Sequence, residues 1–240
     1  MHFDLLNNMI SIIIPVYNHA HELDECLASI KEQSYDNYEI IIVNDRSTRR
    51  LGWVVRKYQK AFGIKLEIIN NQTNHGAPYS RNKGFKKSKG EFVVFCDADV
   101  VMDEDFLAKL HGVLIDNKDI AFAYSSHKFG RKTFGKLEYD EERLKKMPFI
   151  HTTAMLRRSA FPKNGFDENL KRLQDWDLWL TMLENGQKGK WLDEVLFSVK
   201  AGGTMSTWLP SFSYKLFPFF PKVVKYNKAV KVIKEKHNLI

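Results

Sequence analysis

The sequence predicts an α/β fold: a mostly parallel central sheet flanked by helices. Three observations carry that expectation. Short β-rich runs alternate with helical patterns through the first half of the chain. Those runs are apolar from end to end, as strands buried on both faces are. The segments between them are long enough for a helix, which joining two parallel strands requires.

Ile10 to Val16 reads as the first buried strand, closed by Pro15 and the turn at Tyr17-Asn18. Leu23, Leu27 and Ile30 then recur at helical spacing, and Glu22, Asp24 and Glu25 favour a helix N-terminus before them. Glu39 to Val43 is the second strand, Leu51 to Phe62 a helix, Lys65 to Ile69 the third strand, and Ala77 to Lys87 another helix. Glu91 to Cys96 is a fourth strand that runs straight into Asp97. Phe106, Leu110, Val113 and Leu114 mark the next helix, and Ile120 to Tyr124 the next strand.

The second half is less regular. Phe129 to Met147 is basic and rich in turn residues, which predicts a long loop or a weak helix. Thr152 to Leu156 and Val195 to Val199 read as strands, and Asp175 to Leu183 as a short helix rich in aromatics. Residues before Met9 read as an extension, and from Tyr214 onward aromatics and lysines interleave. No repeat or low-complexity linker divides the chain. The simplest parse is one domain over residues 9–206, with halves at 9–125 and 126–206, followed by a tail over 207–240.

A chain of 240 residues is long enough for one well-buried core. A hydrophobic share of 44% and a charged share of 28% exclude disorder and coiled coil. The net charge of +8 asks for an anionic partner: nucleic acid, an anionic membrane surface or a phosphorylated small molecule. Cys26 and Cys96 lack metal-ligand spacing and are expected to be reduced core residues of a cytoplasmic protein. No apolar run approaches the roughly 20 residues that span a bilayer, and no early segment has the pattern of a signal peptide.

In sheets of this kind ligands bind beyond the carboxyl ends of the strands. Tyr17-Asn18, Asn44-Asp45 and Asp97-Ala98-Asp99 all fall at such ends, so they are expected to share one crevice. Asp97 and Asp99, two residues apart, direct two carboxylates to one place, and a divalent cation relieves their repulsion. Oxygen ligands favour Mn²⁺ or Mg²⁺. The plainer alternative is a solvated acidic turn or a helix cap.

Asp45 suits a nucleoside N–H or hydroxyl, or a cap for the helix that follows. Arg81, early in a helix where a cation opposes the dipole, needs an anion: a phosphate, a carboxylate or a surface ion-pair partner. In Gln174-Asp175-Trp176-Asp177-Leu178-Trp179, either Asp175 or Asp177 can serve as general base, and the two tryptophans are core residues or a sugar-stacking surface. No GxGxxG, Walker, HExxH or GxSxG pattern is present.

In this order, Ser11-Ile-Ile-Ile-Pro-Val-Tyr-Asn18, Val43-Asn-Asp-Arg-Ser-Thr48, Asn74-His-Gly76 with Ser80-Arg-Asn82, Phe95-Cys-Asp-Ala-Asp99, Gly165-Phe-Asp-Glu168 and Gln174 to Trp179 resemble the family 2 inverting glycosyltransferases of GT-A fold. The resemblance covers about residues 10 to 206. It implies a Rossmann-like half, residues 9–125, that binds a nucleoside-diphosphate sugar, with a UDP-sugar foremost, and an acceptor half at 126–206. Pro15, Val16 and Tyr17 are then implied to line the nucleoside site, and Asp45 to bind the base or ribose. Arg81 approaches the base or phosphates, Asp97 the ribose and nearby metal, and Asp99 the metal and diphosphate. Asp175 matches the catalytic base.

The sequence departs from the family pattern in three respects: Asn44 and Arg46 stand for Asp and Gly, Gln174 for a common Glu, and Lys200 to Ser206 lacks the His often found there. Lys200 or Thr204 are the candidate substitutes. The implied acceptor is a carbohydrate or lipid-linked sugar in surface polysaccharide or glycolipid synthesis, met at the cytoplasmic face of an anionic membrane. The tail suits that surface, or else packs on the domain with a solvated lysine face. The competing classes are a nucleic-acid-binding protein, disfavoured by the acidic strand ends, a nucleotidyltransferase, and a non-catalytic transferase-like domain.

Overall fold

The computed structural model describes residues 8–48, 51–200 and 219–240. All seven residues of β1 (Ile10–Val16) are buried, and the reason is visible in their partition. Ile10, Ile12 and Ile14 point into one hydrophobic core while Ile13 points into a second. The same split divides Phe92 and Val94 from Val93 and Phe95 in β4 (Phe92–Phe95). Side chains alternate faces along a strand, and here both faces are covered, so the apolar run is continuous.

β1 pairs in parallel with β2 (Tyr38–Asn44) and with β4, and β2 pairs in parallel with β3 (Leu66–Asn70). The remaining strands are β5 (Val100–Met102), β6 (Phe122–Phe129), β7 (Lys132–Phe134), β8 (Met155–Arg157) and β9 (Gly189–Val199). Among the described residues they complete one nine-stranded sheet of order β3-β2-β1-β4-β8-β6-β9-β5, with β7 paired to β6. Helices α1 (Ala20–Lys31), α2 (Gly52–Phe62) and α4 (Phe106–Asp116) cover the first core. Helices α3 (Ala77–Lys87), α5 (Glu141–Lys146), α6 (Gln174–Glu184) and α7 (Pro221–Lys236) contribute to the second.

The α/β class holds, and the parallel pairings are those of β1 to β4 together with β6 and β9. The second half differs from the reading in detail. β6 runs on to Phe129, so the division at residue 125 falls inside a strand, and Lys132–Phe134 folds back on it as a hairpin. The segment expected as loop or weak helix is therefore a hairpin followed by α5, whose N-terminus is capped by Asp140 through the Arg143 N–H. β5, unforeseen, pairs antiparallel with β9 directly after the Asp97-Ala98-Asp99 turn.

Cys26 and Cys96 are both buried and free, with their sulfurs 3.6 Å apart. Among the described residues no helix is long and apolar enough to cross a membrane. The tail from Pro221 is a helix packed on the second core through Ile233, with Val230 and Leu239 against the same cluster. Its end is clamped to α6: the His237 ring shares hydrogen bonds with Asp177 (3.0 Å) and Glu184 (2.8 Å), while the Lys236 ammonium bridges Asp177 and Asp167. Lys222, Lys225, Lys228 and Lys231 face solvent.

α3 sits unusually close to the sheet because Gly84 has no side chain. A Cβ there would lie 2.4 Å from Ile13 Cγ2 and 3.2 Å from Val43 Cγ2. Gly84→Ala is expected to destabilise the protein by about 1–3 kcal/mol, the usual cost of overpacking. Thermal denaturation should show a fall of several degrees.

Candidate active site

The carboxyl ends of β1 and β2 are stitched together by their own loops. The Asn18 N–H donates to Ser47 Oγ, and the Thr48 N–H donates to Asn18 Oδ1. Asp45, buried at 3% exposure, accepts from the His75 and Gly76 N–H groups and from the Asn71 side-chain amide. Its carboxylate thus builds the entry to α3, where Gly76 is the N-cap with φ 93°. Pro15 and Val16 are buried within the strand, and Tyr17 is the one of the three whose side chain is exposed.

Arg46 holds φ at 62°, where a side chain costs roughly 1–2 kcal/mol. Its guanidinium donates to the Gln72 carbonyl, which anchors it there. The glycine common in the resembling family needs no such anchor.

Arg81 is buried at 4% exposure and is no surface ion pair. Its Nη2 meets Asp97 Oδ1 at 2.5 Å and its Nη1 donates to Gln174 Oε1 at 3.0 Å. One guanidinium therefore joins α3, the end of β4 and the start of α6. The next residue does the same for the Gly165-Phe-Asp-Glu168 loop. Asn82 Oδ1 accepts from the Phe166 N–H, while its Nδ2 donates to the Phe166 carbonyl and Glu168. Gly165 permits this approach, since a Cβ on it would lie 2.4 Å from Asn82 Oδ1.

Trp176 and Trp179 are buried core residues rather than a sugar-stacking surface. Their indole N–H groups donate to the Leu144 and Ile150 carbonyls, tying α6 to the chain that leads into β8. That tie brings in a residue the sequence reading missed. His151 follows Ile150 and interacts electrostatically with Asp97, Asp175 and Arg81. It sits in a loop with no local pattern to mark it, beside His127 at 4.9 Å between ring centroids.

The charges within this group set one another. Burial opposes ionisation of Asp97, but Arg81 and His151 outweigh it and hold the carboxyl below its ordinary range. Burial and the charge of Asp97 push Asp99 up to about 6. Burial also raises Asp175, against the pull of His151 and Arg81. Burial lowers His151, against the pull of Asp97 and Asp175.

With Asp97 committed to Arg81, Asp99 is the freer carboxylate of the pair. Among the described residues no three His, Cys, Asp or Glu side chains gather as a metal cage. The donor set still fits a hard cation held by one or two carboxylates, with phosphate and water completing its shell. Lys200 pairs with Glu25 at 2.7 Å and its N–H donates to the Asp99 carbonyl, whereas Thr204 lies outside the described residues. Asp177 is held by Lys236 and His237 at 4% side-chain exposure, which leaves Asp175 as the carboxylate of α6 in the group.

An α/β sheet that gathers acidic, arginine-linked groups at its strand ends has the arrangement of a ligand-binding crevice. The chain belongs to glycosyl transferase family 2, whose model matches residues 11–165. It is 29% identical over 210 residues to EpsE of Bacillus subtilis (strain 168), named as a glycosyltransferase, covering 80% of this chain and 72% of that one. It is 30% identical over 188 residues to an uncharacterized glycosyltransferase of Haemophilus influenzae, covering 73% and 62%.

Among solved structures it resembles S. aureus TarS 1-349 in complex with UDP-GlcNAc, with a TM-score of 0.71 at 24% identity, over 86% of this chain and 64% of that one. It also resembles the mannosyltransferase PcManGT from Pyrobaculum calidifontis, in complex with GDP-Man and Mn²⁺, with a TM-score of 0.67 at 20% identity, over 82% and 58%. The chain thus spans less than two thirds of those solved chains. The fold is GT-A and the chain is a glycosyltransferase. Nothing observed supports the nucleic-acid-binding, nucleotidyltransferase or non-catalytic readings.

Were a cation held by Asp99, protons would compete with it for the carboxylate. Mn²⁺ affinity, read by calorimetric titration, should weaken about tenfold for each pH unit below the Asp99 pKa of about 6 and level off above it.

Proposed function

We propose that this glycosyltransferase moves a sugar from a nucleoside diphosphate, UDP foremost, to an acceptor hydroxyl with inversion. The observation that supports this most is the group Arg81, Asp97, His151 and Asp175, drawn from four parts of the chain to one strand end. Tyr17 and the wall built on Asp45 hold the nucleoside, with Pro15 and Val16 fixing the backbone behind it. Asp99, helped by Asp97, holds Mn²⁺ or Mg²⁺, which supplies charge neutralisation for the departing diphosphate. The Mn²⁺ and the UDP and GDP sugars in the related structures support that reading. Arg81 keeps Asp97 ionised and in place. Asp175, whose burial makes it a stronger base, takes the acceptor proton as the hydroxyl oxygen attacks the anomeric carbon.

Native-state ligands raise the melting temperature by mass action, so a panel of nucleoside diphosphates and their sugars, with and without Mn²⁺, identifies the nucleoside. With the preferred donor, Asp175→Asn should slow release of nucleoside diphosphate by about 10²–10⁴-fold while the donor-induced shift persists. An unchanged rate would remove Asp175 from the mechanism. Asp177→Asn, by contrast, should lower the melting temperature first.

The acceptor reading, a carbohydrate or lipid-linked sugar in surface polysaccharide or glycolipid synthesis, draws support from the solvent face of α7. Lys225, Lys228 and Lys231 alternate there with Val224 and Val232, beside exposed Phe219 and Phe220. Such a face suits the anionic cytoplasmic surface of a membrane. Replacing Lys222, Lys225, Lys228 and Lys231 with Glu leaves the Lys236 and His237 clamp intact. Co-sedimentation with phosphatidylserine vesicles should fall several-fold, and equal binding by both proteins would rule the contact out.

A further inference from the structure

Two imidazoles stand behind the carboxylates, and the reaction as described gives neither a role. His127 lies on β6, stacked on Phe197 with centroids 4.9 Å apart and 10° between planes, and on Phe134 at 5.7 Å. It is 5% exposed, and both ring nitrogens are enclosed with no hydrogen-bond partner among the described residues. Burial holds its pKa down at about 3, so it is a neutral ring packed as an aromatic one. His151 rests against this stack, 4.9 Å from His127 and 5.2 Å from Phe197, and is partly exposed.

The tautomer of His151 follows from its neighbour. Its Nδ1 accepts the Thr153 N–H at 3.0 Å, so in the neutral ring the proton resides on Nε2. Among the described residues no group accepts from that N–H. The loop holding the ring is pinned to α6 by the Trp179 bond to the Ile150 carbonyl. A rigid donor is thus pinned through a side chain one turn along α6 from Asp175, and Arg81 ties Asp97 to Gln174 at the start of the same helix.

The sugar in transit must occupy the space between those two carboxylates. Its diphosphate lies toward Asp97 and Asp99, and the attacking hydroxyl lies toward Asp175. With its loop pinned to the helix that carries Asp175, His151 is the neighbouring donor for the sugar ring. We propose that His151 is a sugar-recognition residue whose Nε2–H donates to a hydroxyl of the transferred sugar, with His127 as its neutral backing ring. A neutral donor recognises a hydroxyl without adding a second cation next to Arg81 to hold the departing diphosphate. This inference rests on the donor reading above.

The test is calorimetric titration, with Mn²⁺ present, of UDP, GDP, CDP and dTDP and of their glucose or mannose conjugates. The proteins are the wild type, His151→Phe, His151→Gln and His127→Phe. For the nucleotide that the wild type prefers, His151→Phe should bind the sugar conjugate about tenfold more weakly, the scale of one lost hydrogen bond. Affinity for the free diphosphate should stay within about twofold. Gln places an amide N–H near the position of Nε2 and should restore most of the loss. His127→Phe should bind both ligands as the wild type does, because only its ring is used. Equal weakening of diphosphate and conjugate in His151→Phe, no weakening of either, or failure of Gln to restore binding would each overturn the assignment. If the wild type binds none of the nucleotides, the donor reading fails, and this inference falls with it.

Discussion

The site depends on one buried cation. Arg81 reaches from α3 to Asp97 at the end of β4 and to Gln174 at the start of α6, and its Nε has no partner of its own. A guanidinium that deep is tolerated only if its charge is met, and removing one partner of a buried pair typically costs about 3–5 kcal/mol. The surrounding fold is arranged to keep the partners in place. Gly84 lets α3 lie against β1 and β2, and Asn82 ties the Gly165-Phe166 loop to the same helix. The tryptophan N–H bonds fasten α6 to the segment that precedes β8. Gln174 in place of a glutamate meets Arg81 with a dipole, so Asp97 alone supplies the compensating charge.

That economy shapes the chemistry. Because Asp97 is spent on Arg81, its ionised form is secure and Asp99 bears the cost of proximity. Like charges two residues apart thereby sit in different settings: one is paired with a guanidinium, the other is held back from ionising. Asp175 is separated from both by its place on α6, whereas they lie on the turn between β4 and β5, and burial raises its pKa.

Much of this was legible in the sequence because the first half obeys simple rules. Ile10–Val16, Tyr38–Asn44 and Phe92–Phe95 are apolar throughout, and the polar clusters at their ends converge as parallel topology requires. The second half resisted because its order comes from long-range contacts. The hairpin at Phe122–Phe134 and the long β9 carry polar and bulged positions that hide their period. Arg81 read equally well as a surface ion pair, since nothing local reveals that Gly84 draws its helix into the core. His151 carried no signal at all: its position is set by an indole 28 residues away in sequence, Trp179 bonding the carbonyl of Ile150 before it. Asp45 was read as a ligand or a helix cap, whereas its carboxylate is spent on the amides of a loop some 30 residues on.

The clamp on Asp177 has a consequence for where this enzyme can be cut. The recognisable motifs stop well before α7, and a minimal catalytic unit chosen from them would end near residue 206. Such a shortened chain would lose Lys236 and His237 and leave Asp177 buried with its charge unmet. The helix that would suffer is α6, two residues along from Asp175. The motifs thus end short of the last contacts made to α6, and the last helix stands as the outer buttress of that helix.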